Sequence, residues 1–92
     1  MIAQSVMVVN QLGMHARAAA KFVHLATRYQ AHIRVASDAR AMDGKSIMGL
    51  LLLAAARGSM ITISADGVDE IDAVNALVSL VQSGFDEDVC AV

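Results

Sequence analysis

The 92-residue sequence contains no proline, one cysteine and only three aromatic side chains. The single cysteine, Cys90, has no partner for an internal disulfide, so packing has to hold the fold together, as it does in most intracellular domains. The aromatic residues Phe22, Tyr29 and Phe85 lie outside the segments that have the pattern of strands. A sheet face that stacks nucleic-acid bases is therefore not expected.

Basic charge and long apolar runs are also scarce. Seven basic and nine acidic residues give a formal charge of −2, which provides no basic field for nucleic acid. The longest apolar run, residues 47–56, is interrupted by Gly49 and is well short of the roughly 20 residues of a membrane span. No basic region precedes the first apolar stretch. We therefore expect a cytoplasmic protein without a targeting signal, membrane insertion or bound nucleic acid.

The residues that are present fit one domain, residues 1–92. Hydrophobic residues make up 57% of the sequence, and a chain of this length can bury roughly two-thirds of its unfolded surface. The sequence contains no internal repeat and no linker. Only its acidic end, about residues 86–92, is expected to be loosely held.

Apolar periodicity alternates along the chain between that of strands and that of helices. Strands are predicted at residues 5–10, 32–37, 40–42 and 59–66. Helices are predicted from Ala16 to about residue 29, from residue 47 after an N-cap at Ser46 to a stop at Gly58, and from acidic residues 69–72 to Gly84. The predicted apolar stripes are Ala19, Phe22, Val23, Ala26 and Tyr29 in the first helix and Ile71, Val74, Leu77, Val78 and Val81 in the last.

The predicted element order, βαββαβα, indicates the α+β class. Four half-polar strands and three one-sided helices bury their apolar faces most simply as an open-faced sandwich. We therefore predict a four-stranded antiparallel sheet that three helices cover on one face.

The stretch "LGMHARAAAKF" places a histidine at the start of the first helix. If the helix begins at Ala16, His15 is the N-cap, and the amides of Ala16 and Arg17 point toward any group attached to its ring. The guanidinium of Arg17 matches phosphate oxygens, and a neutral imidazole is a competent nucleophile. The arrangement therefore suits a histidine that accepts a phosphoryl group and passes it on, although a surface histidine beside a surface arginine would give the same pattern.

Other motifs carry less weight. "DGKS" is similar to the end of a phosphate-binding P-loop, but Ala39 stands where that loop needs glycine. His24 and His32 do not have metal-ligand spacing with His15, so we expect no metal and place both on the surface or at an edge. Ile47, Met48 and Leu51 fit either the core or an exposed apolar patch, and of these we expect Met48 to be exposed.

Two separated motifs, "LGMHARAAAKF" and "KSIMGLLLLAAARGSMITISADG", together with the ending "SGFDED", resemble the HPr family of histidine-containing phosphocarriers. This family serves the bacterial phosphoenolpyruvate-dependent phosphotransferase system. The resemblance covers about residues 6–88 and implies the same open-faced sandwich. It also implies a carrier that serves as substrate and donor for partner enzymes, is not itself an enzyme, and needs no cofactor.

The resemblance further implies roles for particular residues. His15 would accept a phosphoryl group from enzyme I as a pros-phosphohistidine and donate it to an enzyme IIA component, with Arg17 stabilising the phosphate. Ser46 would be the residue that HPr kinase/phosphorylase modifies, although it would also serve simply as a helix cap. Ile47, Met48 and Leu51 would dock partners. A monomer that meets these partners transiently is expected.

One position departs from the family pattern. The family has proline after the arginine, whereas this chain has Ala18, so we expect a slightly looser first helical turn and a working site. The "SGFDED" ending is similar to nitrogen-branch relatives of the NPr type, while "KSIMG" is similar to kinase-regulated members. The alternative function is therefore a regulatory docking module of the nitrogen-related branch, which acts by binding partners and not by sugar-linked transfer.

Overall fold

A computed structural model describes residues 1–86 as one antiparallel sheet of four strands with three helices on one of its faces. The elements are β1 (Ile2–Met7), α1 (Ala16–Ala26), β2 (His32–Ser37), β3 (Arg40–Asp43), α2 (Ile47–Leu53), β4 (Met60–Asp66) and α3 (Glu70–Gln82). The predicted α+β open-faced sandwich is thus confirmed. No helix in this described part combines the length and apolar character of a membrane span. Of the acidic end, residues 87–92, including Cys90, lie outside the described residues.

The strands lie in the order β1-β4-β2-β3, so β4 pairs on both sides. Its strict alternation of residue types turns Ile61, Ile63 and Ala65 toward the helices, where all three are buried. Thr62 and Ser64 point to the opposite, uncovered face, because side chains alternate across a strand. The alternation along β4 therefore decides which face of the sheet becomes the core.

The three helices fill the covered face with apolar side chains. Phe22, Leu50 and Leu77 in the helices and Phe85 in the turn after α3 are fully buried, and each contributes about 1.5–3 kcal/mol through its removal from water. α3 packs on β1 and β4, α2 packs on β2 and β3, and α1 packs on both other helices. The buried apolar side chains of the sheet and of the helices thus form one core cluster.

The first strand lies earlier in the chain than predicted. It occupies Ile2–Met7 and not residues 5–10, because its register with β4 runs from Ile2 opposite Ala65 to Met7 opposite Met60. Val8 is buried, as a strand residue would be, but its amide and carbonyl bond to the turn that precedes β4, at Ser59 and Gly58. The apolar run thus continues past the strand into a packed connection.

Two helices end earlier than predicted. α1 stops at Ala26 and not near residue 29, and the Oγ1 of Thr27 donates a hydrogen bond to the carbonyl of His24, 2.8 Å away, within its last turn. α2 stops at Leu53 because Ala54 takes a left-handed conformation with φ of 51°. Gly58, the predicted stop, instead forms the turn into β4 with φ of 89°.

One residue of the predicted α3 stripe is not in the core. Ile71 is 61% exposed, whereas Val74, Leu77, Val78 and Val81 are buried as predicted. Ala73 joins them in the observed stripe, whose centre lies roughly 90° around the helix axis from Ile71. The prediction that Ile71 belongs to this stripe is therefore wrong.

Asp69, the N-cap of α3, holds the connection between α1 and β2. Its two carboxylate oxygens accept hydrogen bonds from the backbone amides of Gln30 at 2.8 Å and Ala31 at 2.9 Å. These bonds, the Gln30 bond first, lower the pKa of Asp69 because they favour its charged form. Glu70 accepts the amide of Gly67 at 3.0 Å, which likewise lowers the pKa of Glu70.

The start of α2 is capped by a side chain, as predicted. Ser46 has an extended backbone, and its Oγ accepts the amide of Gly49 at 3.0 Å. This bond satisfies one of the helix's initial amides, which have no acceptor inside the helix.

We expect Asp69→Asn to lower the free energy of unfolding at neutral pH and to weaken its dependence on pH. A carboxylate with a lowered pKa contributes stability that is complete above its ordinary pKa of about 3.9 and is lost as the pH falls through its folded value. Urea unfolding between about pH 2 and pH 7 measures this slope. Part of the pH dependence remains in the variant, because the pKa of Glu70 is also lowered. Asp72→Asn, a change in the same helical turn, is the control, and equal slopes for the two variants would contradict the assignment.

We expect Ser46→Ala to destabilise the fold by about 1 kcal/mol, because the amide of Gly49 loses its acceptor. Ser46→Asn keeps an acceptor oxygen at the same position and is expected to stay within a few tenths of a kcal/mol of the parent. Thermal or urea unfolding compares the three proteins. An equal loss in both variants would show that the hydroxyl acts in some other way than as a cap.

Candidate functional site

His15 occupies the N-cap of α1, as the sequence predicts. Its backbone is extended, with φ of −83° and ψ of 179°, and its carbonyl accepts the amide of Ala19 at 2.8 Å. The His15 side chain does not cap the helix, and the residue is only half-buried. By the geometry of an α-helix, the amides of Ala16, Arg17 and Ala18 have no acceptor within α1. The helix start therefore offers several donors to an anion beside the imidazole.

The segment before His15 is fixed by contacts with distant parts of the chain. Gly13 has φ of 65° and lies against the backbone after α2, where an added Cβ would come within 2.5 Å of the carbonyl oxygen of Ala55. The same carbonyl accepts the amide of the buried Met14 at 2.9 Å. These contacts set where the helix begins and so where the imidazole stands.

Asn10 helps to position His15, a role that the sequence analysis missed. It is fully buried, and its Nδ2 donates to the carbonyl of Gly13 at 2.7 Å, an oxygen that also accepts the amide of His15 at 2.9 Å. A turn-forming asparagine three residues before a glycine was the available signal. The bond shows that Asn10 holds the loop that leads to the histidine.

Arg17 and Ala18 lie in the first turn of α1 but face opposite ways. Arg17 is exposed, so its guanidinium has access to solvent and to an approaching anion. Ala18 is fully buried beneath the helix. The residue that departs from the family pattern thus packs into the core, while the cation stands on the surface.

Ser46 and His15 stand at opposite ends of α2. Lys45 Nζ donates to the carbonyl of Tyr29 at 2.7 Å, which places the start of α2 near the end of α1. The bond from Met14 to Ala55 places the end of α2 near the start of α1. α2 has seven residues with a rise of 1.5 Å each, so its two ends are roughly 10 Å apart.

Exposed apolar side chains lie along α2 and in the loop before His15. Met48 is 68% exposed, as expected, and Ile47 is also exposed, whereas Leu51 is only partly exposed and packs against the core. Leu52 and Leu12 are exposed apolar residues that the sequence analysis did not select. The sequence feature that could have pointed to Leu12 was its position in the loop just before His15.

The other residues that the sequence analysis considered, His24, His32 and Cys90, are not part of this site as described. His24 and His32 are exposed, as expected. Within residues 1–86, no group of three or more histidine, cysteine, aspartate or glutamate side chains could hold a metal ion. Cys90 lies outside the described residues.

Comparison with known proteins agrees with this geometry. Residues 2–83 match the family model PTS-HPr, which describes the phosphorylation site of the HPr component of the phosphotransferase system. The chain is 46% identical to the phosphocarrier protein HPr of Pseudomonas aeruginosa over 88 residues, which cover 95% of this chain and 98% of that protein. It is 39% identical to the phosphocarrier protein NPr of Klebsiella oxytoca over 88 residues, again with 95% and 98% coverage.

A solved structure of similar shape supports the same assignment. The crystal structure of an HPr from Thermoanaerobacter tengcongensis matches 96% of this chain and 99% of its own, with a TM-score of 0.92 at 39% identity. The chain therefore belongs to the HPr family of phosphocarrier proteins.

Proposed function

We propose that this protein is a phosphoryl carrier of the phosphotransferase system in which His15 is the acceptor. The observation that carries the proposal is the placement of a half-buried imidazole at the N-cap of α1, beside initial helix amides that lack intrahelical acceptors. Phosphoryl transfer needs mainly positioning and neutralisation of charge from the protein. A helix start supplies both.

The transfer exchanges one bond to phosphorus for another. A ring nitrogen of His15, the pros nitrogen in our proposal, attacks the phosphorus carried by enzyme I. The bond to the enzyme I donor group breaks, and that group keeps the bonding electron pair. The amides of Ala16 and Arg17 and the Arg17 guanidinium stabilise the transferred oxygens. In a second exchange of the same kind, a group of an enzyme IIA component attacks the phosphorus, the bond to His15 breaks, and the ring nitrogen keeps the electron pair, so the carrier ends unchanged.

Docking of these partners is assigned to the exposed apolar side chains near the site. Ile47 and Met48 on α2 provide the exposed surface, and Leu51 supports it from a partly buried position. A single domain that acts as a monomer in the cytoplasm suits this role, because each partner has to bind and leave in turn.

Ser46 is the proposed regulatory residue. HPr kinase/phosphorylase would add a phosphate there, and the start of α2 tolerates negative charge because of its dipole. The exposed Ile47 and Met48 follow directly, so the new charge would face the apolar docking surface. Since Ser46 stands at the far end of α2 from His15, the phosphate would act on the partner's approach and not on the imidazole.

We expect His15→Ala to abolish acceptance of a phosphoryl group from phosphoenolpyruvate and enzyme I, because no other side chain occupies the cap of α1. Intact mass spectrometry, before and after mild acid, detects a single acid-labile adduct in the parent protein. His24→Ala removes an exposed histidine elsewhere in the same helix and is expected to keep the adduct. An adduct that persists in His15→Ala would refute the assignment.

The same experiment distinguishes phosphoryl transfer from the alternative function. A regulatory docking module of the nitrogen-related branch, a branch to which the 39% identity to the phosphocarrier protein NPr points, would bind partners through the same surface. If the parent protein forms no adduct with a cognate enzyme I but still binds it, the docking function is the better assignment.

We expect Ser46→Asp to slow phosphoryl uptake from enzyme I about tenfold, because it places a negative charge next to Ile47 and Met48. Aspartate caps a helix as well as serine does, so the fold keeps its stability. Ser46→Ala is the matched control: it weakens the cap without adding charge and is expected to accept phosphate at the parental rate. Equal rates for Ser46→Asp and the parent would contradict regulation by charge at this position.

A further inference from the structure

A groove lies between the second half of α1 and the end of α3, away from the start of α1 where His15 stands. Its volume is about 320 Å³, which is at the small end of the range for pockets that take small molecules. The side chains that line it are Lys21, His24, Leu25, Arg28, Leu80 and Asp86. No step of the proposed phosphoryl transfer uses this groove.

The α1 side of the groove is basic. Lys21, His24 and Arg28 follow one another at spacings of three and four residues, so their side chains lie on one face of the helix and its last turn. α1 itself contains no acidic residue. Within residues 1–86, the His24 imidazole and the Arg28 guanidinium take part in no hydrogen bond or ion pair, and Asp86 is the only acidic side chain that lines the groove.

The groove is held open by a fixed frame. Lys21 Nζ donates to the carbonyl of Phe85 at 2.7 Å, which ties α1 to the end of α3. Phe85 is fully buried, and both it and Gly84 have positive φ, at 61° and 71°. The turn after α3 is thereby anchored in the core, and Lys21 is held at the groove wall.

The floor of the groove is apolar. Leu25 and Leu80 are partly buried and pack against the core from α1 and α3. A ligand that contacts them gains from removal of apolar surface, while its charged end can reach His24 and Arg28. The groove therefore combines an apolar wall with donors that match phosphate oxygens.

We propose that this groove binds a small organic phosphate with an apolar body. The phosphate accepts hydrogen bonds from Arg28 and His24, with Lys21 adding positive charge, and the apolar body lies against Leu25 and Leu80. A phosphate dianion has enough oxygens to use all three basic groups, and their attraction outweighs the repulsion from the one carboxylate of Asp86. This binding is independent of the chemistry at His15.

Phenyl phosphate is the probe, titrated into the uniformly ¹⁵N-labelled full chain and followed by two-dimensional NMR. We expect saturable shifts of the backbone amides of Leu25, Arg28 and Leu80, with a dissociation constant of about 1 mM or lower. Inorganic phosphate, which lacks the apolar body, and phenol, which lacks the charge, are each expected to bind at least tenfold more weakly.

Two substitutions that each remove one positive charge distinguish specific binding in the groove from a general attraction of anions to the protein. Arg28→Gln is expected to weaken phenyl phosphate at least tenfold, whereas Arg34→Gln, on the uncovered face of the sheet, leaves its affinity unchanged. Equal losses in both variants would overturn the proposal. So would the absence of saturation, which would leave Arg28 as a cation that only complements the C-terminal end of the helix.

Two further variants test where the phosphate binds and what competes with it. His15→Ala is expected to keep the binding, and shifts confined to Ala16 and Arg17 would place the phosphate at the helix start instead of the groove. The E87Q/D88N variant tests whether acidic groups of the chain itself take the place of the ligand. Binding that occurs in this variant but not in the parent would assign the basic groups to those acids and overturn the proposal.

Discussion

The constraint on which the rest of the structure depends is the alternation of side chains along β4. Ile61, Ile63 and Ala65 all have to face the helices, and a slip of one residue would turn them to solvent. Because β4 pairs on both sides, it fixes the register of β1 and of β2 together. The helices then have only one apolar surface on which to pack, and that packing brings the start of α1 against the end of α2.

The site inherits its geometry from this packing. The close approach of Gly13 to Ala55 and the bond from Met14 to the same carbonyl place the N-cap of α1 before any ligand arrives. The imidazole thus stands at a rigid helix start and not on a free loop, which is the kind of preorganisation that phosphoryl transfer requires. Ala18, fully buried under this turn, shows how the position is filled without the proline that the family pattern has.

Local patterns predicted much of this and failed where distant residues decide. The caps at His15 and Ser46 and the strand β4 follow from residue types within a few positions of each other. The start of β1 did not, because its register comes from β4, almost 60 residues later. Asn10 was missed for the same reason: its burial depends on the loop's packing, and its hydrogen bond to Gly13 alone does not distinguish a buried asparagine from one in an exposed turn.

The uncovered face of the sheet has a practical consequence. It carries small polar side chains such as Ser5 and Thr62, whose hydroxyls are 3.0 Å apart, while the candidate phosphoryl site and the exposed apolar residues of α2 belong to the helical layer. A fluorophore or a surface-immobilisation handle attached at the exposed Ala3 would therefore stand on the opposite side of the sheet from the proposed docking surface. A label on the uncovered face of the sheet would leave the helical layer, with the candidate phosphoryl site, accessible.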